Sequence, residues 1–249
     1  MQALISLLND SVVFPFLLLL ARIVAFVAFM PIFSHKSVPG RIRIAFAFFL
    51  TIFLFPLVDV QNTITQEMFI GALISEITLG LVASFFVNVI FSAVTIIGDL
   101  VGYATALSMA NMFDPASGTQ QGVVSRLLYM VAIVMFFQTG MYEVTLVILA
   151  QSFDLIHLGQ FDIFSYDGIT IAIEEVKRMF AFAFSFAFPL FFIGFILDVY
   201  YGYGTKSMPS FSPFIVTFQL KFALIFLFMM FGMQIFAENF RDYFLSKFS

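Results

Sequence analysis

Long apolar runs, interrupted by single polar residues, set the pattern of this chain. Six can be marked: Val12–Phe33, Ile44–Val58, Met68–Ile97, Val123–Ala150, Met179–Leu197 and Phe214–Ala237. About 20 helical residues cross the hydrocarbon core of a bilayer. Val12–Phe33 is long enough, but it holds Pro15, Pro31 and a central Arg22. Ile44–Val58 is short for an untilted crossing, and Pro56 breaks its end. Met68–Ile97 is too long for a simple span and contains Glu76, Gly80 and Asn88. None of the six separates an apolar from a polar face, and helices apolar all round belong in lipid or in a large protein core. In Met179–Leu197 phenylalanine alternates with small residues as in a strand, yet the length of the run predicts helix. The pattern therefore predicts an all-α, polytopic membrane-type fold of helical hairpins with interrupted helices. No fixed-period repeat or low-complexity linker divides the chain, so a single domain over residues 1–249 is expected.

The connections carry orientation. Ser34–Arg43 holds His35, Lys36, Arg41 and Arg43, whereas Asp59–Glu67 holds only acidic charges. The positive-inside rule then places the first loop in the cytoplasm and the second outside. The acidic stretch Gln151–Arg178 fits outside and Lys206 fits inside. Arg241 and Lys247 near the end also prefer the inside, which six crossings from an outside N-terminus do not allow. Either one segment is a hairpin that fails to cross, or Met68–Phe113 holds an additional helix; the second is favoured, because that region is over-long and contains Gly98 and Gly102. Met1–Ser11 carries Asp10 but no basic residue, unlike a cleavable signal, so the first apolar run is expected to remain in the mature protein.

Composition sharpens the class. The chain is 62% hydrophobic and 10% charged, against roughly 25% charged in soluble domains. Lipid or partner subunits must cover that surface. Cysteine is absent, which excludes disulfides and thiolate chemistry. No basic run points to nucleic acid. Phosphate-binding glycine loops, zinc motifs and nucleophile elbows are missing, and His35 and His157 are isolated, so no enzyme activity, metal or cofactor is expected.

Seven ionisable residues interrupt the apolar runs: Arg22, Glu76, Asp99, Arg126, Glu143, Asp198 and Lys221. Such a residue costs roughly 2.5–3.5 kcal/mol at a helix centre in lipid, so each must face protein or water. They could form an ion relay, or they could form buried ion pairs that fix assembly. No two acids repeat at helical spacing on one segment, which favours pairing. Gly98-x-x-x-Gly102 allows close helix approach, with ordinary packing as the plain alternative. Asp114-Pro115 reads either as a helix start or as a pore-facing loop. Met109 and Met112 share a helix face, suited to sealing around varied side chains or to filling a core. Irregular backbone at membrane depth is tolerated only where protein buries it or water lines it, so the band from Gly98 to Ser117 is the place to look for function.

Gly98-Asp99-x-x-Gly102, Ser108-Met109-Ala110-x-Met112-Phe113-Asp114-Pro115-Ala116-Ser117, Arg126, Phe136-Phe137 and Gln151-Ser152-Phe153 together resemble the FliR family. Arg22, Val38-Pro39-Gly40-Arg41 and Lys206-x-Met208-Pro209 extend the resemblance over essentially the whole chain. The family often has Gly-His where this chain has Gly140-Met141, and Phe-Pro-Leu where it has Phe218-Gln219-Leu220. The second departure predicts a straighter final helix. The resemblance implies a non-enzymatic subunit of the flagellar type III export gate in the bacterial inner membrane, at the flagellar basal body. It implies FliP-like and FliQ-like partners, an FlhB-like neighbour, contact with lipid, and unfolded secreted proteins as substrates. It places Met109, Asn111, Met112, Phe113 and Asp114 at the closed pore as a plug. A different class, a stand-alone secondary transporter coupling through Asp99, Glu76 and Arg126, would carry inverted repeats, and none is found.

Overall fold

The computed structural model describes residues 10–34, 38–58, 66–105, 122–161, 168–207 and 213–246. All regular structure among them is helical. The helices are α1 (Asp10–Phe29), α2 (Pro31–Ser34), α3 (Gly40–Leu54, followed by a 3-10 turn at Phe55–Leu57), α4 (Gln66–Ala104), α5 (Val123–Gln138), α6 (Met141–Leu155), α7 (Gly168–Ser207) and α8 (Pro213–Leu245). Five are long and apolar enough to cross a membrane: the spans lie in α1, α3 with its 3-10 turn, α4, α7 and α8. The pair α5 and α6 passes the same test when taken together, as a broken span or a re-entrant loop.

Chain punctuation explains the breaks. Pro31 cannot donate its amide and so opens α2, splitting the run Val12–Phe33 at Met30. The run Val123–Ala150 breaks at Thr139–Gly140, where Gly140 takes φ 72°, a left-handed conformation that glycine adopts at little cost. Pro15 and Pro189 lie inside α1 and α7.

Other boundaries depart from the hydropathy reading. The additional helix expected within Met68–Phe113 does not begin at either glycine: α4 runs unbroken for 39 residues through Gly98 and Gly102. An interior glycine costs a helix only about 1 kcal/mol, and neighbouring apolar residues outweigh that. The stretch Gln151–Arg178 is not all loop, since α6 continues to Leu155 and α7 begins at Gly168. Hydropathy marks the greasy part of a helix, whereas backbone hydrogen bonding carries on through Glu174 and Glu175. At 1.5 Å per residue, α4 and α7 reach about 60 Å, twice the hydrocarbon depth of about 30 Å. The final helix runs through Gln219 without a break, as the missing proline predicts.

The chain forms two compact units: Met1–Val89 with Tyr142–Glu175, and Ile90–Met141 with Val176–Ser249. In the first unit, α1 packs on α3 through Phe16, whose ring meets Phe48 at 6.1 Å and Phe55 at 5.5 Å. Leu18, Leu19 and Ile23 of α1 are fully buried there. In the second unit, Phe91 of α4 meets Phe136 of α5 at 5.9 Å and Phe240 of α8 at 6.0 Å, all edge-on, a favoured aromatic geometry. Buried positions on α8 run Lys221, Ile225, Met229, Phe236, Phe240 and Phe244, a single helical stripe.

Candidate functional site

The densest polar site lies within the first unit, around Arg22. Its Nε donates to Glu76 Oε2 at 2.5 Å and its Nη2 to Glu76 Oε1 at 3.1 Å. Nη1 donates to the carbonyl of Ser152 at 3.0 Å and to its Oγ at 3.3 Å, and Nη2 reaches the carbonyl of Ile156 at 3.0 Å. A guanidinium has five N–H groups in a fixed fork, and these five contacts engage them all. The Phe153 ring lies 4.3 Å from the guanidinium carbon, within cation–π range. Glu76 Oε1 also accepts the amide of Gly159 at 2.7 Å. Arg22 and Glu76 are both completely buried.

Local structure prepares each partner. Ser152 and Ile156 lie at and just past the C-terminal turn of α6, where helix carbonyls lack intrahelical donors and the dipole favours a cation. Gly159 follows with φ 75°, and a Cβ there would stand 3.1 Å from Ala72 Cβ. On α4, Glu76 opens a row at four-residue spacing: Glu76, Gly80, Ser84, Asn88. A Cβ on Gly80 would strike the Arg22 carbonyl and lie 2.8 Å from Ala25 Cβ, so α1 and α4 touch there. Asn88 Nδ2 donates at 2.5 Å to the carbonyl of Phe29, the last residue of α1. That carbonyl is left over because Pro31 ends the helix. The sequence reading noted Glu76, Gly80 and Asn88 singly but missed the row, and their four-residue spacing was the available signal.

A second site lies where α4 meets α5, in the second unit. Ser125 Oγ donates to Asp99 Oδ1. Ser125 sits in the first turn of α5, where the helix dipole favours a carboxylate. A Cβ on Gly98 would clash with the Ser125 backbone, so glycine is what lets the two helices meet. Gly102 differs: a Cβ there meets nothing within 4 Å among the described residues. Between α7 and α8, Lys221 Nζ pairs with Asp198 Oδ2 at 2.7 Å, with 9% of the lysine side chain and 56% of the aspartate side chain exposed.

The seven interrupting charges thus divide. Arg22, Glu76 and Lys221 are buried, Asp99 is half-buried, and Arg126, Glu143 and Asp198 are instead exposed in the single chain. Glu143 accepts a 2.8 Å bond from the adjacent Tyr142 hydroxyl. Burial fails at Arg126 and Glu143 because each falls on the outer face in the first turns of its helix. The plug candidates Met109, Asn111, Met112, Phe113 and Asp114 lie outside the described residues. Among the described residues no group of three or more metal-binding side chains occurs.

Residues 13–246 match the family described as bacterial export proteins, family 1. The chain belongs to this family, that of FliR. It is 28% identical to the flagellar biosynthetic protein FliR of Bacillus subtilis over 88% of this chain and 86% of that protein. It is 25% identical to FliR of Caulobacter vibrioides, covering 83% of each. It is 24% identical to FliR of Escherichia coli over 81% of this chain and 77% of the relative. A FliR-family chain with this many long apolar helices is a membrane-embedded protein of flagellar biosynthesis and export. The family is a structural component of the export apparatus.

Proposed function

We propose that this chain is a wall and plug subunit of the flagellar type III export gate in the inner membrane. It assembles with FliP-like and FliQ-like subunits, beside an FlhB-like subunit, around a passage for unfolded flagellar proteins. The observation that carries this reading is the family match across residues 13–246. The long helices support it. α4 and α7 outreach a bilayer, and the Gly40–Leu57 span buries only 17% of its residues within this chain, so other molecules must cover the rest. The segment holding Met109, Asn111, Met112, Phe113 and Asp114 closes the passage at rest. Its methionines seal by adapting their shape.

Purification from membranes in mild detergent tests the assembly. A tagged chain should bring down small polytopic partners in fixed ratio. A monodisperse single chain that binds a small solute would replace this reading with a transporter. The Glu76 carboxylate weighs against that alternative, because Arg22 and Gly159 already occupy it.

A further inference from the structure

Helix α7 carries its bulk on the outside. Met179, Ala183, Ala187, Leu190 and Gly194 point inward and are buried. Phe180, Phe184, Phe188, Phe191 and Phe195 point outward, each at least 42% exposed. Both rows step by four, four, three and four residues, the period of a helix face. This resolves the alternation of phenylalanine and small residues: the small side chains let neighbouring helices approach, as at Gly194, where a Cβ would stand 3.2 Å from the Ala104 carbonyl of α4 and 3.4 Å from Ile225 of α8. An aromatic face of this size is costly in water, since each exposed ring forgoes the gain of leaving it.

The ends of the face show what covers it. Before it come Lys177 and Arg178, both exposed. After it come Tyr200 and Tyr203, 71% and 74% exposed, and then exposed Lys206. Arg178 and Tyr200 are 22 positions apart, a rise of about 33 Å, which matches a hydrocarbon layer of about 30 Å. Tyrosines and long basic side chains sit at membrane–water boundaries because their apolar stems lie in the chains and their tips in water. The chain has no tryptophan and eight tyrosines, and three of those cluster at Tyr200, Tyr201 and Tyr203. A face covered by protein has no need for such a length or such edges.

Helix α8 differs at the same depth. Ring contacts of Phe186 with Phe236 and of Phe182 with Tyr243 set the pairing of the two helices. They bring Gln234 and Glu238, exposed and hydrogen-bonded to each other at 3.1 Å, to the level of Phe184 and Phe188. An exposed carboxylate at that depth turns away from lipid.

We propose that the outer face of α7, from Phe180 to Phe195, lies against phospholipid acyl chains, with the exposed Asp198 carboxylate at its boundary with water. Arg178 and Tyr200 mark the two edges of the hydrocarbon layer, and the Gln234–Glu238 face of α8 meets protein or water. The proposal stands apart from the gate reading, because lipid contact is measurable whatever the chain assembles with.

The absence of cysteine makes the test direct. Single variants Phe188→Cys, Phe184→Cys, Tyr203→Cys and Glu238→Cys are spin-labelled in the full chain, in native membranes with its partners. Collision rates with oxygen and with a water-soluble nickel chelate are then compared. At positions 184 and 188, oxygen should exceed the chelate severalfold, with a mobile label. At 203 the two rates should approach each other, and at 238 oxygen should lose its advantage. Labels at both 184 and 188 that are immobile and shielded from both reagents would mean a protein cover and overturn the proposal. Chelate access at both would place the face in water and overturn it equally. Two outward positions guard against one variant failing to fold, since both side chains are at least half exposed. Loss of co-purifying partners with oxygen access unchanged at 184 and 188 would instead count against the gate reading alone.

Discussion

Arg22 engages its five N–H groups with Glu76, Ser152 and Ile156 while its carbon stem is completely buried. Lysine has three donors about a single point and cannot reproduce that fork, so even Arg22→Lys is a large change. Removing one member of a buried pair leaves the other charged and uncompensated, at a cost of about 3–5 kcal/mol. Arg22→Met and Glu76→Gln should each lower the thermal midpoint in detergent sharply, and the double variant should recover part of the loss. A double variant as unstable as the sum of the singles would show that the two side chains act separately. Glycines give a second contrast. Gly80→Ala drives a Cβ into α1 and should destabilise by about 1–3 kcal/mol, the usual range for overpacking. Gly102→Ala meets nothing within 4 Å among the described residues and should be neutral or stabilising by up to about 1 kcal/mol, from helix propensity. Equal melting points for the two would remove the basis for the α1–α4 contact. The sequence required Arg22 and Glu76 to find partners, because lipid does not accept them bare. It did not name those partners. They lie 54 to 134 positions from Arg22, and two are backbone carbonyls, which no side-chain pattern encodes.

Helices were the legible level of this chain, and their ends were not. Apart from the breaks at Met30 and Thr139–Gly140 and the end at Val58, all six apolar runs are helical where described, because a long apolar helix satisfies its own backbone in lipid. The faces were hidden for the same reason: apolar residues all round leave no periodicity to read. On α7 no polarity marks the inward side: Met179, Ala183, Ala187, Leu190 and Gly194 are inside and the row Phe180, Phe184, Phe188, Phe191 and Phe195 is outside. The α7–α8 ion pair makes an element-scale prediction. Lys221 is nearly enclosed and Asp198 faces out. Asp198→Asn strands a buried ammonium, whereas Lys221→Met leaves a carboxylate that solvent can reach. The first variant should therefore lower the thermal midpoint more than the second, since exposed ion pairs are worth about 1 kcal/mol or less and buried charges far more. The reverse order would mean that lysine is the better solvated partner. Gln219→Pro removes an amide inside α8 and should cost about 3 kcal/mol, read in the same melts.

For the whole molecule, the class was legible, and the segment proposed as the plug lies outside the described residues. A composition of 62% hydrophobic residues requires a membrane or partner subunits, and the FliR match supplies the apparatus. The plug assignment makes a prediction at this scale. Deleting Met109–Phe113 in the assembled gate should let small ions leak, seen as raised conductance or growth arrest in salt. Unchanged conductance with normal complex yield would remove the plug role while leaving the wall role standing.

The Glu76, Gly80, Ser84 and Asn88 row has a mechanical consequence. Each tooth meets α1 differently: Glu76 holds the Arg22 fork, Gly80 admits the backbone beside it, and Asn88 ties the final carbonyl of α1. Sliding α1 along α4 by one turn would bring the guanidinium level with Gly80, where no carboxylate waits. The pair is a ratchet with a single notch. Any movement of this part of the chain has to carry α1 and α4 together.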